Sequence, residues 1–164
     1  MTKTLDFYFD FISPYSFLAY KKLNSLNTKN EINIKYKPML LGGLHNLGGI
    51  TPPAFNDRKL KNMKNDCDLI ASKNNIKFKW NIKFPINSLY LMRGYLVIDD
   101  HLKKKYFEIC FDAYWKDNLD ISNQKNVDTI IERTGLSKKE FLENIENKKV
   151  KDILKNLTSE AFNK

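Results

Sequence analysis

The stretch from Leu5 to Leu26, L-D-F-Y-F-D-F-I-S-P-Y-S-F-L-A-Y-K-K-L-N-S-L, constrains the fold more than any other part of the chain. From Leu5 to Phe11 the apolar residues Leu5, Phe7, Phe9 and Phe11 alternate with Asp6, Tyr8 and Asp10. That is the period-two pattern of a strand covered on one face. Ser13 stands where a helix N-cap belongs, and Pro14 follows at the first helical position, where its fixed φ suits a helix and its missing N–H costs nothing. Tyr15, Leu18, Ala19, Leu23 and Leu26 continue at helical spacing as the expected inward face. A strand that turns directly into a helix puts the Ser13 hydroxyl at the positive end of that helix, a position that favours an anion. On the residues alone two readings stand: a plain helix cap, the commoner use of Ser-Pro after a strand, or a hydroxyl aimed at an anionic ligand.

Asn27 to Asn30 forms a polar break, and Glu31 to Met39 alternates again with Ile32, Ile34 and Tyr36 on one face. Strand, helix and second strand predict a βαβ unit with parallel strands. Leu40 to Pro53 reads as a glycine-rich loop without the glycine order of a phosphate-binding loop. Beyond it the spacing predicts consecutive helices without an intervening strand. The first runs over Asp57–Lys73, with Leu60, Met63, Cys67, Ile70 and Ala71 inward, and Asn87 or Ser88 caps the next. Leu102, Tyr106, Ile109, Cys110 and Ala113 then share a face, Asp120–Ser122 caps a helix bearing Val127, Ile130 and Ile131, Ser137 and Glu140 form a capping box, and Val150 to Phe162 is amphipathic.

The formal net charge is +9 in 164 residues, but the lysines are scattered along the chain, which reads as a solvated surface rather than a nucleic-acid face. No run of about 18 apolar residues suggests a membrane span. No basic and apolar leader opens the chain, so a cytoplasmic protein is expected. Cys67 and Cys110 are too few and too far apart for a disulfide framework or zinc site, and His45 and His101 have no ligand-spaced partners, so no metal is expected.

The run D-F-Y-F-D-F-I-S-P-Y-S-F-L-A closely resembles the start of the 2-hydroxychromene-2-carboxylate isomerases and kappa-class glutathione transferases, a branch of the DsbA-like thioredoxin superfamily. Ser13-Pro14-Tyr15-Ser16 is similar to a thioredoxin C-x-x-C with oxygen at both sulfur positions. The resemblance implies an α/β fold: a thioredoxin-like βαβ unit over residues 1–50 and a large all-helical insertion domain over 51–164. It also implies that Ser13, next to Pro14, holds the sulfur of bound glutathione. The family's basic residue after Pro-Pro-Ala maps to Lys59, with Arg58 beside it, as a partner for a glutathione carboxylate. Ile50 stands where relatives often carry a glutathione-contacting asparagine. F-P-I-N-S-L-Y-L-M-R-G is similar to the family's segment on the substrate side of the cleft, which makes Asn87 and Arg93, with Tyr15, candidates for contact with the second substrate.

Family members continue into a Val-Pro loop, two antiparallel strands carrying a serine-aspartate pair, and a closing helix. This C-terminal ββα half is absent from the 164 residues. The expectation is a truncated product or fragment, or a chain that completes its sheet with a partner. The implied function is a glutathione-dependent isomerase or transferase, a homodimer acting on a small electrophilic aromatic substrate with glutathione. In it the thiolate adds to the substrate and, in the isomerase case, is expelled after bond rotation. The competing reading is a truncated, non-catalytic thioredoxin-like binding module.

Overall fold

The computed structural model describes residues 3–27 and 31–164. Strand β1 (Lys3–Phe9) runs into helix α1 (Pro14–Leu26), and strand β2 (Ile32–Pro38) returns parallel to β1 with Lys3 opposite Ile32 and Phe9 opposite Pro38. The expected βαβ unit is therefore present. The polar break expected over Asn27–Asn30 lies, beyond Asn27, outside the described residues. Asn27 joins the end of α1 to the start of β2: its Nδ2 donates to the Ile32 carbonyl at 2.8 Å and its Oδ1 accepts from the Ile32 N–H at 3.0 Å.

The glycine-rich segment is not all loop. Leu41–Leu47 forms helix α2, and a 3₁₀ turn follows at Pro53–Phe55. Six helices follow: α3 (Asp57–Lys73), α4 (Leu89–Val97), α5 (Asp100–Trp115), α6 (Gln124–Thr134), α7 (Lys138–Ile145) and α8 (Lys148–Phe162). Extended backbone at Ile98 and Asp99 separates α4 from α5. Asn123 rather than Asp120–Ser122 caps α6, accepting from the Lys125 N–H, and Asn147 caps α8 three residues ahead of the expected start. Ser137 caps α7 as its capping box predicts.

An aromatic cluster makes the centre of the core. The Phe107 ring lies 4.7 Å from both Phe9 and Tyr20 and 4.9 Å from Phe111, and Phe111 lies 5.0 Å from Phe11, mostly edge to face. Such pairs contribute about 0.5–1.5 kcal/mol each beyond their buried area. α5 supplies more of this core than its sequence spacing suggests, because Phe107, Phe111 and Trp115 are buried along with the expected Tyr106, Cys110 and Ala113.

The inward face of α1 also differs from its predicted set. Phe17, Leu18 and Tyr20 are buried, whereas Tyr15 and Ala19 are exposed and Leu26 is 70% exposed. The aromatic cluster and α3 cover the Phe17–Tyr20 side of the helix, and this decides which residues turn inward. At the strand, Leu5 is exposed where burial was expected, and Asp10, expected outward, is fully buried. Pairing of β1 ends at Phe9, so Asp10 no longer obeys the alternation of the strand.

Candidate functional site

Ser13 has extended backbone (φ −80°, ψ 114°), and its side chain accepts from the Ser16 N–H at 3.1 Å, which makes it the N-cap of α1. The turn is held from behind by the Ser13 N–H on the Asp10 carbonyl at 2.9 Å and by the Trp115 indole N–H on the Phe11 carbonyl at 2.9 Å. Pro14 sits at the first helical position as expected. Because a hydroxyl is both donor and acceptor, the cap consumes only acceptor capacity, and no acceptor for the Ser13 O–H is found among the described residues. Ser13 is 7% exposed and opens onto a cavity of about 480 Å³.

The cavity wall is largely apolar. Ile12, Pro14, Leu40, Phe55, Met63 and Phe84 contribute to it, with Asp10, His45, Asn87 and Ser88 as its polar members besides Ser13. α2 brings His45 to this wall, which Gly42 and Gly43 also line. The Phe84–Pro85 bond is cis, and both residues line the cavity.

The structure places the sequence-predicted residues unevenly. Ser13, Pro14, Tyr15 and Asn87 all line the cavity. Tyr15 is partly exposed, and its Oη donates to Asp66 Oδ2 at 2.9 Å; partial burial pushes its phenol above the ordinary range, with Asp66 adding to the effect. Asn87 Oδ1 accepts from the Leu89 N–H at 2.9 Å, so it serves the start of α4 while its surface meets the cavity. Arg58 and Lys59 are exposed on the first turn of α3, one turn from Phe55, and do not line the cavity. Arg93 lies apart from it, with Nη1 3.4 Å from Glu146 Oε1.

Two residues of the wall escaped the sequence reading. Asp10 is 0% exposed and makes three hydrogen bonds: Oδ1 accepts from the Ser88 hydroxyl at 2.6 Å and the Ile12 N–H at 3.1 Å, and Oδ2 accepts from the Leu41 N–H at 2.8 Å. One carboxylate thus ties the turn after β1 to the starts of α2 and α4. Burial pushes its carboxyl above the usual range against the pull of those three donors. The only sequence signal for it was an acid three residues before Ser13. His45 escaped because its helix was read as loop.

Comparison with known proteins follows the same outline. Residues 4–163 match the family model described as a DSBA-like thioredoxin domain. Human glutathione S-transferase kappa 1 is 27% identical, over 98% of this chain and 76% of that protein. The 2-hydroxychromene-2-carboxylate isomerase of Sphingobium xenophagum is 28% identical, over 83% of this chain and 70% of that protein. A solved structure of a 2-hydroxychromene-2-carboxylate isomerase superposes with a TM-score of 0.85 at 22% identity, over 98% of this chain and 79% of that one. Among the described residues no helix is long and apolar enough to cross a membrane, and no group of histidine, cysteine, aspartate and glutamate side chains is placed to hold a metal ion.

Proposed function

Because the chain belongs to the DSBA-like thioredoxin domain family, with a glutathione transferase and an isomerase among its relatives, we propose that it is a glutathione-dependent isomerase or transferase acting on a small electrophilic aromatic substrate. The observation that carries this reading is the Ser13 hydroxyl, capped on its acceptor side, open on its donor side, and facing an apolar cavity of about 480 Å³. That volume lies within the roughly 300–1,000 Å³ of small-molecule sites. The chemistry glutathione supplies when bound is a thiolate nucleophile. Ser13 donates its O–H to the sulfur, and the N-terminus of α1 adds the field of its unpaired N–H groups, so the ionised form is favoured. Ile12, Phe55 and Phe84 present an apolar surface to an aromatic substrate, with Tyr15 and Asn87 at its polar edge.

Arg58 and Lys59 have a weaker place in this reading. Their side chains are exposed near the cavity rather than in its wall, so a glutathione carboxylate meets them only at the mouth, where a charge pair contributes little. A homodimer belongs to the same proposal; it is supported by β1, which pairs with β2 along one edge and with no other strand among the described residues. The test is retention on immobilised glutathione together with turnover of an aromatic electrophile. Retention and turnover that both fall in Ser13→Ala support the proposal. A chain that neither binds glutathione nor consumes the electrophile is instead a non-catalytic binding module.

A further inference from the structure

A second cavity, of about 250 Å³, lies among α2, α4 and α8, and its chemistry differs from that of the first. Arg93, Lys151 and Lys155 line it, with Glu146 close to two of them: Glu146 Oε1 is 3.4 Å from Arg93 Nη1 and Oε2 is 2.5 Å from Lys151 Nζ. Two of the three cations thus share one carboxylate. Lys155 makes no ion pair among the described residues. The Arg93 side chain is only 13% exposed, and its Nε is buried without a hydrogen-bond partner among the described residues. A buried N–H with no acceptor is uncommon in a folded protein. Around these charges Leu47, Leu89 and Leu154 form the apolar part of the wall, with Asn46, Thr158 and Ser159 among them.

We propose that this cavity binds a small monocarboxylate with an apolar body, about the size of benzoate, independently of the site at Ser13. Arg93 lines the cavity, and a guanidinium is a planar set of donors matched to a carboxylate. The leucines take the ring, and Lys155 stands at the mouth, where it attracts the anion. A cavity this size is below the range of drug-sized sites, which limits the ligand to roughly one ring. A bare phosphate would leave the leucine wall wet, so the carboxylate with an apolar body is the better match.

The experiment is a benzoate titration of the full chain, followed by amide chemical shifts and calorimetry, with inorganic phosphate and neutral benzamide as comparison probes. Leu40 and Gly43 line both cavities and do not discriminate between them; Leu47, Arg93 and Ser159 report the second cavity alone, and Ser13, Tyr15 and Phe55 report the first. The expected result is saturable benzoate binding, with a dissociation constant on the order of millimolar, that shifts the second set. Benzamide and phosphate should leave that set unmoved. Arg93→Gln should abolish the shifts. Lys155→Glu, an exposed change that spares the fold, should weaken binding by about tenfold. Shifts confined to the Ser13 set, equal shifts with phosphate, undiminished binding in Lys155→Glu, or no shifts at all would each overturn the proposal.

Discussion

The Ser88 hydroxyl donates to Asp10 Oδ1 at 2.6 Å across 78 residues of sequence, with both side chains buried. This contact fixes the start of α4 against the turn that presents Ser13, and the Leu41 N–H on Oδ2 fixes the start of α2 against the same turn. Burial raises the Asp10 carboxyl above its ordinary 3.8, so its ionised form is disfavoured in the folded state. The penalty is absent below the unfolded value and builds as pH rises from there through the raised folded value; the group therefore lowers stability at neutral pH relative to acid. Asp10→Asn should flatten this part of the pH dependence. It should also cost about 1–3 kcal/mol, because the amide NH₂ then faces a donor. Denaturant unfolding of both proteins from about pH 4 to pH 8 checks this, and parallel stability curves would refute it.

Ser13 and Ser16 stand three residues apart, but only Ser13 lines the cavity. Ser13→Ala should remove a donor to the thiolate worth about 1.5–3 kcal/mol, roughly ten- to hundredfold in kcat/KM for glutathione conjugation or isomerisation. It should also cost about 1 kcal/mol of stability as a lost cap. Ser16→Ala keeps both the cap and the cavity hydroxyl, so its rate should stay within about twofold of the parent. Equal losses in the two variants would remove Ser13 from its assigned role.

The parts of the fold that follow from local periodicity were legible in the sequence. Alternation across Phe7 and Phe9, the Ser13-Pro14 junction and the second alternation over Ile32–Tyr36 all pointed to the βαβ unit. The core residues of α3 followed from spacing as well. Asp10 was not legible, because an acid at the end of an alternating run is assigned to the polar face, and only the termination of pairing at Phe9 frees it to turn inward. α2 was hidden by composition: Gly42 and Gly43 disfavour a helix, yet the Leu41 N–H on Asp10 and the Leu40 N–H on Thr158 Oγ1 at 2.9 Å hold its start by tertiary contacts. The outward turn of Tyr15 likewise depends on which elements cover α1, information that a single helix does not carry.

Gly94, the glycine of the R-G pair, lies where α4 meets α5 and α7. A Cβ there would fall 2.5–2.6 Å from the Phe141 ring and closer still to Tyr106 Oη. Tyr106 is fully buried and donates to the Leu91 carbonyl at 2.9 Å, so it has no room to move aside. In an open helix the change to alanine would stabilise by about 1 kcal/mol. Here overpacking should prevail, and Gly94→Ala should destabilise by about 1–3 kcal/mol in denaturant unfolding. Phe141→Leu in the same chain should recover part of the loss through coupling. A Gly94→Ala protein as stable as its parent would show that α4 and α7 do not pack this closely.

The cysteines allow the sharpest separation from redox-active thioredoxins. Cys67 and Cys110 are both fully buried. Burial pushes the Cys67 thiol up to about 12, with Asp66 and Asp68 adding to it, and burial raises Cys110 further. The thiolate is the reactive species, so neither group should react with a disulfide probe at neutral pH until the chain unfolds. Ser13 and Ser16 occupy the turn where a C-x-x-C would stand, and a hydroxyl cannot form a mixed disulfide. The folded protein should therefore leave insulin unreduced and show no fast thiol titration, with two thiols appearing in denaturant. Ser13→Cys supplies the contrast: a thiol at the N-terminus of α1 has its pKa lowered by the helix and opens onto the cavity, so it should titrate at once in the folded state. Rapid titration of the parent, or a Ser13→Cys thiol as slow as Cys110, would mean that the turn at Ser13 does not face the cavity as described.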